Sequence, residues 1–126
     1  MSQFIFASGC VVRTLAAPAA NTTTLTGEAV DIRDLEGPVL VIQASGAGTG
    51  TTPTLDGKLQ HSADGSTSWA DIAGATFAQV LEEASLQKFA LNPNGTRGYI
   101  RYVGTIAGET PSFPFSVLIA GMKRYG

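Results

Sequence analysis

The sequence predicts an all-β protein, a single antiparallel β-sandwich of about six to eight short strands in a jelly-roll or immunoglobulin-like order. Two observations predict it. Short apolar or alternating segments recur at a spacing of about ten residues. Turn residues separate them, such as Asp64-Gly65 and the stretch 92–95. Residues 81–87 have helical character, but they are long enough for one or two turns only.

The central strands are predicted between residues 37 and 72. Residues 39–44 are rich in branched side chains, follow a proline and precede a cluster of glycines, which is typical of a buried strand. Apolar and polar residues alternate over 55–61, so one face of that strand is predicted to be buried. Trp69 and Ile72 follow the Asp64-Gly65 turn and are expected to return to the same core.

Two further strands are predicted near the C-terminus, at residues 98–105 and 113–119, with a turn through Gly108 between them. Phe113, Phe115 and Val117 alternate with smaller or polar residues. Pro114 cannot donate a backbone hydrogen bond, which predicts an edge strand or a strand whose first residues are unpaired.

A chain of 126 residues is expected to form one domain. We divide it into an N-terminal arm with contact segments, residues 1–36, and a β-sandwich body, residues 37–126. Phe4 and Phe6 fit an extended arm or an edge strand. Residues 15–26 have few large side chains and are expected to bury little, as a loop or a segment lying on another surface. A surface strand of the same sandwich remains an alternative.

Composition limits the classes of partner. Charged residues make up 14% of the chain and the net charge is -2, so no electrostatic footprint for nucleic acid is visible. Arg97 and Arg101 stand beside Tyr99 and Tyr102, but this mild cluster is no basic face. No segment approaches the length of a membrane span, and no signal peptide is expected. A surface so poor in charge is compatible with extensive contact to other protein.

No catalytic, cofactor or metal site is predicted. His61 has no second histidine with which to form a metal site, and we expect a packed or half-exposed side chain. Cys10 is expected to be a small buried residue. The glycines at 46, 48 and 50 precede Pro53 and a strand, so the helix N-terminus of a phosphate loop is missing and a flexible connection is predicted.

Carboxylates and aromatic residues leave three weaker possibilities. The adjacent Glu82 and Glu83 would point apart, which makes a poor acid/base pair. The aspartates at 56, 64 and 71 lack the rhythm of a calcium loop. Several aromatic residues are compatible with a sugar-binding platform, although core and rim positions are the more usual role in a small sandwich: Trp69, Phe77, Tyr99, Tyr102 and Tyr125.

Parts of the sequence resemble small structural proteins of tailed bacteriophages and prophages. The resemblance covers about residues 37–121 and is carried by three stretches. The first is Gly-Pro-Val-Leu-Val-Ile at 37–42 with the Gly-Thr-rich and Asp-Gly-Lys-Leu-Gln-His segments that follow. The others are Arg-Gly-Tyr-Ile-Arg at 97–101 and the strand at 111–119. Proteins of this family are β-sandwiches, and some are decoration or cement proteins of the capsid.

The resemblance implies a virion structural protein and not an enzyme. It leads us to expect a cement protein on the head surface, made in the bacterial cytoplasm, which stabilises contacts between major capsid protein subunits. The partners expected are the major capsid protein and further copies of the chain, as a homotrimer or another symmetric oligomer. A tail, neck or baseplate component and a carbohydrate-binding module remain alternatives.

Overall fold

Two antiparallel sheets pack face to face in a computed structural model, which describes residues 10–123. Sheet A has the strand order β1-β8-β4-β7. Sheet B has the order β6-β5-β8, with the two-residue strands β2 and β3 on the other side of β8. Within this range the eight strands are β1 (Cys10–Asn21), β2 (Leu25–Thr26), β3 (Val30–Asp31), β4 (Leu35–Ser45), β5 (Thr49–Ser62), β6 (Ala70–Thr76), β7 (Ser85–Leu91) and β8 (Tyr99–Lys123). The prediction of an all-β antiparallel fold is confirmed.

Strand β8 connects the two sheets, since its first half pairs in sheet B and its second half in sheet A. The prediction of two strands separated by a turn at Gly108 is wrong, because 25 residues continue as one strand. Gly108 and Thr110 have positive φ angles of 118° and 46°. Such angles bend a strand locally without ending it when the partner strand bends too. The partner β5 does so, with Thr52 at φ 47°.

The second half of the glycine-rich stretch before Pro53 belongs to β5, which begins at Thr49 and contains Gly50. Thr49 pairs with Ser112 and Thr51 with Glu109, with register shifts between them. The prediction of a flexible connection is therefore wrong from Thr49 onward, whereas residues 46–48 do connect β4 to β5. Glycine weakens a strand but is typical at a bulge, and Gly50 adopts a φ of 111° here. The helical turns predicted over 81–87 are also absent, because β7 begins at Ser85.

Residues 10–36 are part of the sandwich. Strand β1 pairs with β8 from Cys10 to Asn21, so the surface-strand alternative for residues 15–26 is the correct one. The expectation that residues 15–26 bury little is wrong at Leu15 and Ala16, which are 2% and 5% exposed. Ile32 and Leu35, also assigned to the arm, are at most 1% exposed. A boundary at Gly37 would fall inside β4, where Gly37 forms a bulge with φ 69°. Phe4, Phe6 and Tyr125 lie outside the described residues.

Pro114 lies within β8 between β1 and β4, and not at a sheet edge. Its carbonyl accepts a hydrogen bond from the Gly46 amide at 2.8 Å, where the β4–β8 ladder ends. Because proline has no backbone N–H, Pro114 cannot donate the reciprocal hydrogen bond to the Gly46 carbonyl. The hydroxyl of Ser45 donates to that carbonyl instead, at 2.8 Å. The ladder therefore tolerates a proline because a neighbouring side chain replaces its missing donor.

The core lies between the sheets and contains a polar contact that joins them. Tyr102 of sheet B donates its hydroxyl to the Gln43 side-chain carbonyl of sheet A at 2.5 Å, and both residues are fully buried. Burial raises the pKa of Tyr102 well above its usual range, so the hydroxyl stays protonated. Tyr102 also packs against Phe115, with ring centroids 5.7 Å apart. The contact fixes the two sheets relative to each other.

Candidate interaction surface

The residues considered for catalysis stay apart in the structure. His61 is half-buried, and its Nδ1 accepts a hydrogen bond from the Arg97 amide at 3.3 Å. Burial and the charge of Arg97 lower the pKa of His61. Cys10, expected to be buried, is partly exposed at the start of β1. Among residues 10–123, no three His, Cys, Asp or Glu side chains are grouped as metal ligands.

The carboxylates each have a separate local role. Asp56 accepts hydrogen bonds from Gln79 at 3.1 and 3.2 Å. Asp64 closes the turn after β5 by accepting from the amides of Ser66 and Thr67, and the hydrogen bonds from Thr67 are the main reason that its pKa is lowered. Glu82 and Glu83 are exposed in the loop between β6 and β7.

The aromatic residues do not form an exposed platform within the described part of the chain. Phe77 and Tyr102 are core residues. Trp69 is half-buried, with the guanidinium of Arg101 4.4 Å from its ring centre. The guanidinium of Arg33 lies 4.8 Å from the ring centre of Tyr99. Each arginine occupies a ring face that a sugar would need.

The outer face of sheet B is polar, and its side chains bond to one another. Arg101 donates to the side chain of Gln60 at 2.9 Å, and Gln60 donates to Asp71 at 2.9 Å. Lys58 pairs with the same aspartate at 3.0 Å. These hydrogen bonds, first from Gln60 and then from Lys58, lower the pKa of Asp71. This face resembles an ordinary solvated sheet surface.

The outer face of sheet A is different, because apolar residues cross all four strands. Val12 of β1 is opposite Ala120 of β8, which is opposite Leu40 of β4, which is opposite Ala90 of β7. Val12 is 61% exposed and Leu40 is 37% exposed. Residues that are directly opposite on one face of a sheet have neighbouring side chains. The four therefore form a continuous apolar row.

A second row lies beside the first. Thr14, Leu118, Ile42 and Lys88 are register partners across the same four strands. Lys88 is the one charged residue in these two rows. The row thus brings two further branched apolar side chains next to the first row.

The face continues beyond these rows in both directions. Leu86, 78% exposed, is opposite Ala44. Past it, a groove of about 350 Å³ is lined mostly by alanine and proline, including Pro18 and Pro114. At the other end Met122 is opposite Glu36. We call the outward residues of β1, β8, β4 and β7 the sheet A face.

Sequence reasoning missed this surface. The apolar run at 39–44 was interpreted as a strand buried as a whole, whereas Val39 and Val41 point inward and Leu40 is exposed. The signal was present, because an antiparallel sheet with one wet face normally alternates apolar and polar residues. Strand β4 and the end of β8 carry apolar residues on both faces. That pattern is typical of a sheet covered on both sides.

No known family model matches the chain, and no curated protein sequence matches it. Solved structures do resemble it. A chain in the structure of infectious bursal disease virus, Gx strain, has a TM-score of 0.59 and 14% identity over 93% of this chain. The alignment covers 32% of the viral chain, so the present chain spans about a third of its length. At such identity the likeness shows a shared fold.

The SPBc2 prophage-derived protein YomS also aligns, with a TM-score of 0.49 and 11% identity. The alignment covers 89% of this chain and 93% of that protein.

No helix in the described part of the present chain is long and apolar enough to cross a membrane.

Proposed function

We propose that this chain is a structural component of a virus particle, which acts through protein–protein association, with further copies of itself and with other virion proteins, and not as an enzyme. The observation that supports this most directly is the sheet A face. Monomeric proteins in water rarely leave a large continuous apolar patch exposed, and such patches mark sites of association. The shared fold with a chain in a virus structure supports the viral setting.

Within that class, we favour a decoration protein on the head of a bacteriophage. The sequence resemblance to small phage structural proteins supports this choice, as does the surface of low charge. Such a protein would bind the major capsid protein on the outside of the mature head as a symmetric oligomer. Since it binds the assembled shell and not free subunits, it stabilises the assembled state by mass action.

Quantitative mass spectrometry of purified particles from the virus or prophage that encodes the chain tests this function. A decoration protein is expected in hundreds of copies, in a fixed ratio to the major capsid protein. A few copies per particle would move the chain to the tail, neck or baseplate. Absence from the particles would contradict both roles and would leave the carbohydrate-binding module as the function to examine, by glycan binding.

A further inference from the structure

The exposed apolar side chains of the sheet A face are expected to be buried against another apolar surface of similar size. Leu86 and Val12 project into solvent at 78% and 61% exposure, and Leu40 lies between them. Apolar surface gains about 25 cal/mol for each Å² removed from water. The polar side chains on the outer face of sheet B bond to one another, so within residues 10–123 the extended apolar surface lies on the sheet A side.

We infer that the sheet A face packs against the same face of a second copy, in a two-fold homodimer. Two antiparallel sheets pack well face to face, with strand directions about 30° apart. A surface that is complementary to itself produces a closed dimer. A cyclic trimer would need two different complementary patches, and sheet B offers no second apolar one. The inference is independent of the proposed role in a virus particle.

The area is sufficient for a stable dimer. The strands lie about 4.8 Å apart and rise about 3.4 Å per residue, with about nine residues each from β1, β8 and β4 and seven from β7, so the face measures roughly 550 Å². Two copies would then bury roughly 1,100 Å² in total, above the ~1,000 Å² that a specific interface needs.

The charge on the face also permits self-association. Lys88 lies on β7, which is one outer strand of sheet A, and β1 is the other. With a two-fold axis parallel to the strands, β7 of one copy covers β1 of the second. Lys88 then lies opposite the hydroxyl of Thr14 and not opposite another Lys88. Glu36 of β4 lies opposite Met122 of β8 in the same arrangement. No like charges are forced together, and the net charge of -2 opposes association only weakly.

The test is the mass of the purified chain in solution, by sedimentation equilibrium or light scattering. The wild type is expected at twice the chain mass of 13.0 kDa. Leu86→Glu and, separately, Val12→Glu place a carboxylate in the interface and are expected to raise the dimer dissociation constant at least tenfold. Both side chains are exposed, so the circular dichroism spectrum and the unfolding curve of the isolated chain should change little.

Leu81→Glu is the matched control. Leu81 is also an exposed leucine, at 51%, but it lies in the loop between β6 and β7 and outside the sheet A face. This variant should stay dimeric. A monomeric or trimeric wild type would overturn the inference. So would a dimer that survives both substitutions on the face, or one that Leu81→Glu disrupts equally. Absence of the chain from virus particles would leave these results unaffected.

Discussion

Gly57 makes the polar contact in the core possible. It lies on β5, and a Cβ atom at this position would overlap the Tyr102 hydroxyl and lie 2.5 Å from the Gln43 side-chain oxygen. Gln43 Nε2 has no hydrogen-bond partner within the described residues, so the tyrosine hydroxyl supplies the one bond made by this buried amide. An alternative placement of either side chain would leave more polar atoms unsatisfied.

Gly57→Ala should therefore destabilise the fold. We expect a loss of about 1–3 kcal/mol in the free energy of unfolding, because the extra methyl group forces Tyr102 and Gln43 apart in a packed core. Urea denaturation measures this loss. Gly95→Ala is the control, since a Cβ there meets nothing within 4 Å, and a change within about 0.5 kcal/mol is expected. Equal effects at both positions would contradict the packing argument.

Ion pairs connect elements that the sheets alone leave separate. Arg13 of β1 donates two hydrogen bonds to Asp34, which precedes β4, at 2.6 and 2.7 Å. The same guanidinium donates to the carbonyl of Asp31 in β3 at 2.7 Å. These bonds lower the pKa of Asp34 and raise that of Arg13. One arginine thus joins strands of sheet A and sheet B.

The pH dependence of stability follows from the direction of these shifts. The hydrogen bonds from Arg33 lower the pKa of Asp31 to about 2, and Arg13 lowers that of Asp34. A carboxylate with a lower pKa in the folded state stabilises the fold above its unfolded pKa, and this contribution is lost as the pH falls through the folded value. Stability should therefore decline from about pH 4 to about pH 2.

Asp34→Asn isolates one of these contributions. The variant should be less stable than the wild type at pH 6, and the difference should shrink as the pH falls below the usual aspartate pKa, because the wild-type carboxyl then takes up its proton. Thermal unfolding at several pH values measures it. Because the pair is partly exposed, the effect is expected to be modest and to decrease at high salt. A difference that is independent of pH would exclude the ion pair as its cause.

For the individual strands, the sequence predicted the structure well where the strand is regular. The alternation at 113–119 predicted a strand that the structure contains, with Phe113, Phe115 and Val117 buried. The sequence was misleading at glycine and proline residues, which were interpreted as the ends of strands. Gly37, Gly50 and Gly108 instead lie at bulges inside long strands. A local pattern cannot show whether a partner strand follows the bend.

The sheet A face could not be predicted as a surface, because it is defined by register. Val12 and Ala90 belong to the same row although they are distant in the sequence, and only the pairing of β1, β8, β4 and β7 brings them together. The prediction of no catalytic cluster rested on residue counts and not on geometry, and it stays a prediction for the function as a whole.

For the whole molecule, sharing of β8 makes the two sheets one folding unit. Strand β1 covers one side of the second half of β8, and Leu15, Ile32 and Leu35 fill part of the core. A chain that begins at residue 37 lacks that strand and these side chains. Removal of a single buried leucine or isoleucine side chain costs about 2–5 kcal/mol, and the whole stability of a domain is about 5–15 kcal/mol.

Deletion of residues 1–36 is therefore expected to prevent folding. This differs from the sequence-based view of an arm attached to a separate body. Circular dichroism and amide hydrogen exchange of the truncated chain measure the outcome, with the full chain as the control. A truncated chain that unfolds cooperatively, with a stability close to that of the full chain, would contradict the single-unit description.

The pairing of Cys10 with Met122 has a mechanical consequence. The start of β1 and the end of β8 lie side by side, so a force that pulls these two points apart opens the ladder one hydrogen bond at a time, from Cys10 toward Asn21. Antiparallel strands loaded in this way come apart like a zipper, whereas strands pulled along their length load many bonds together. The domain is thus expected to be weak against tension applied at Cys10 and Met122.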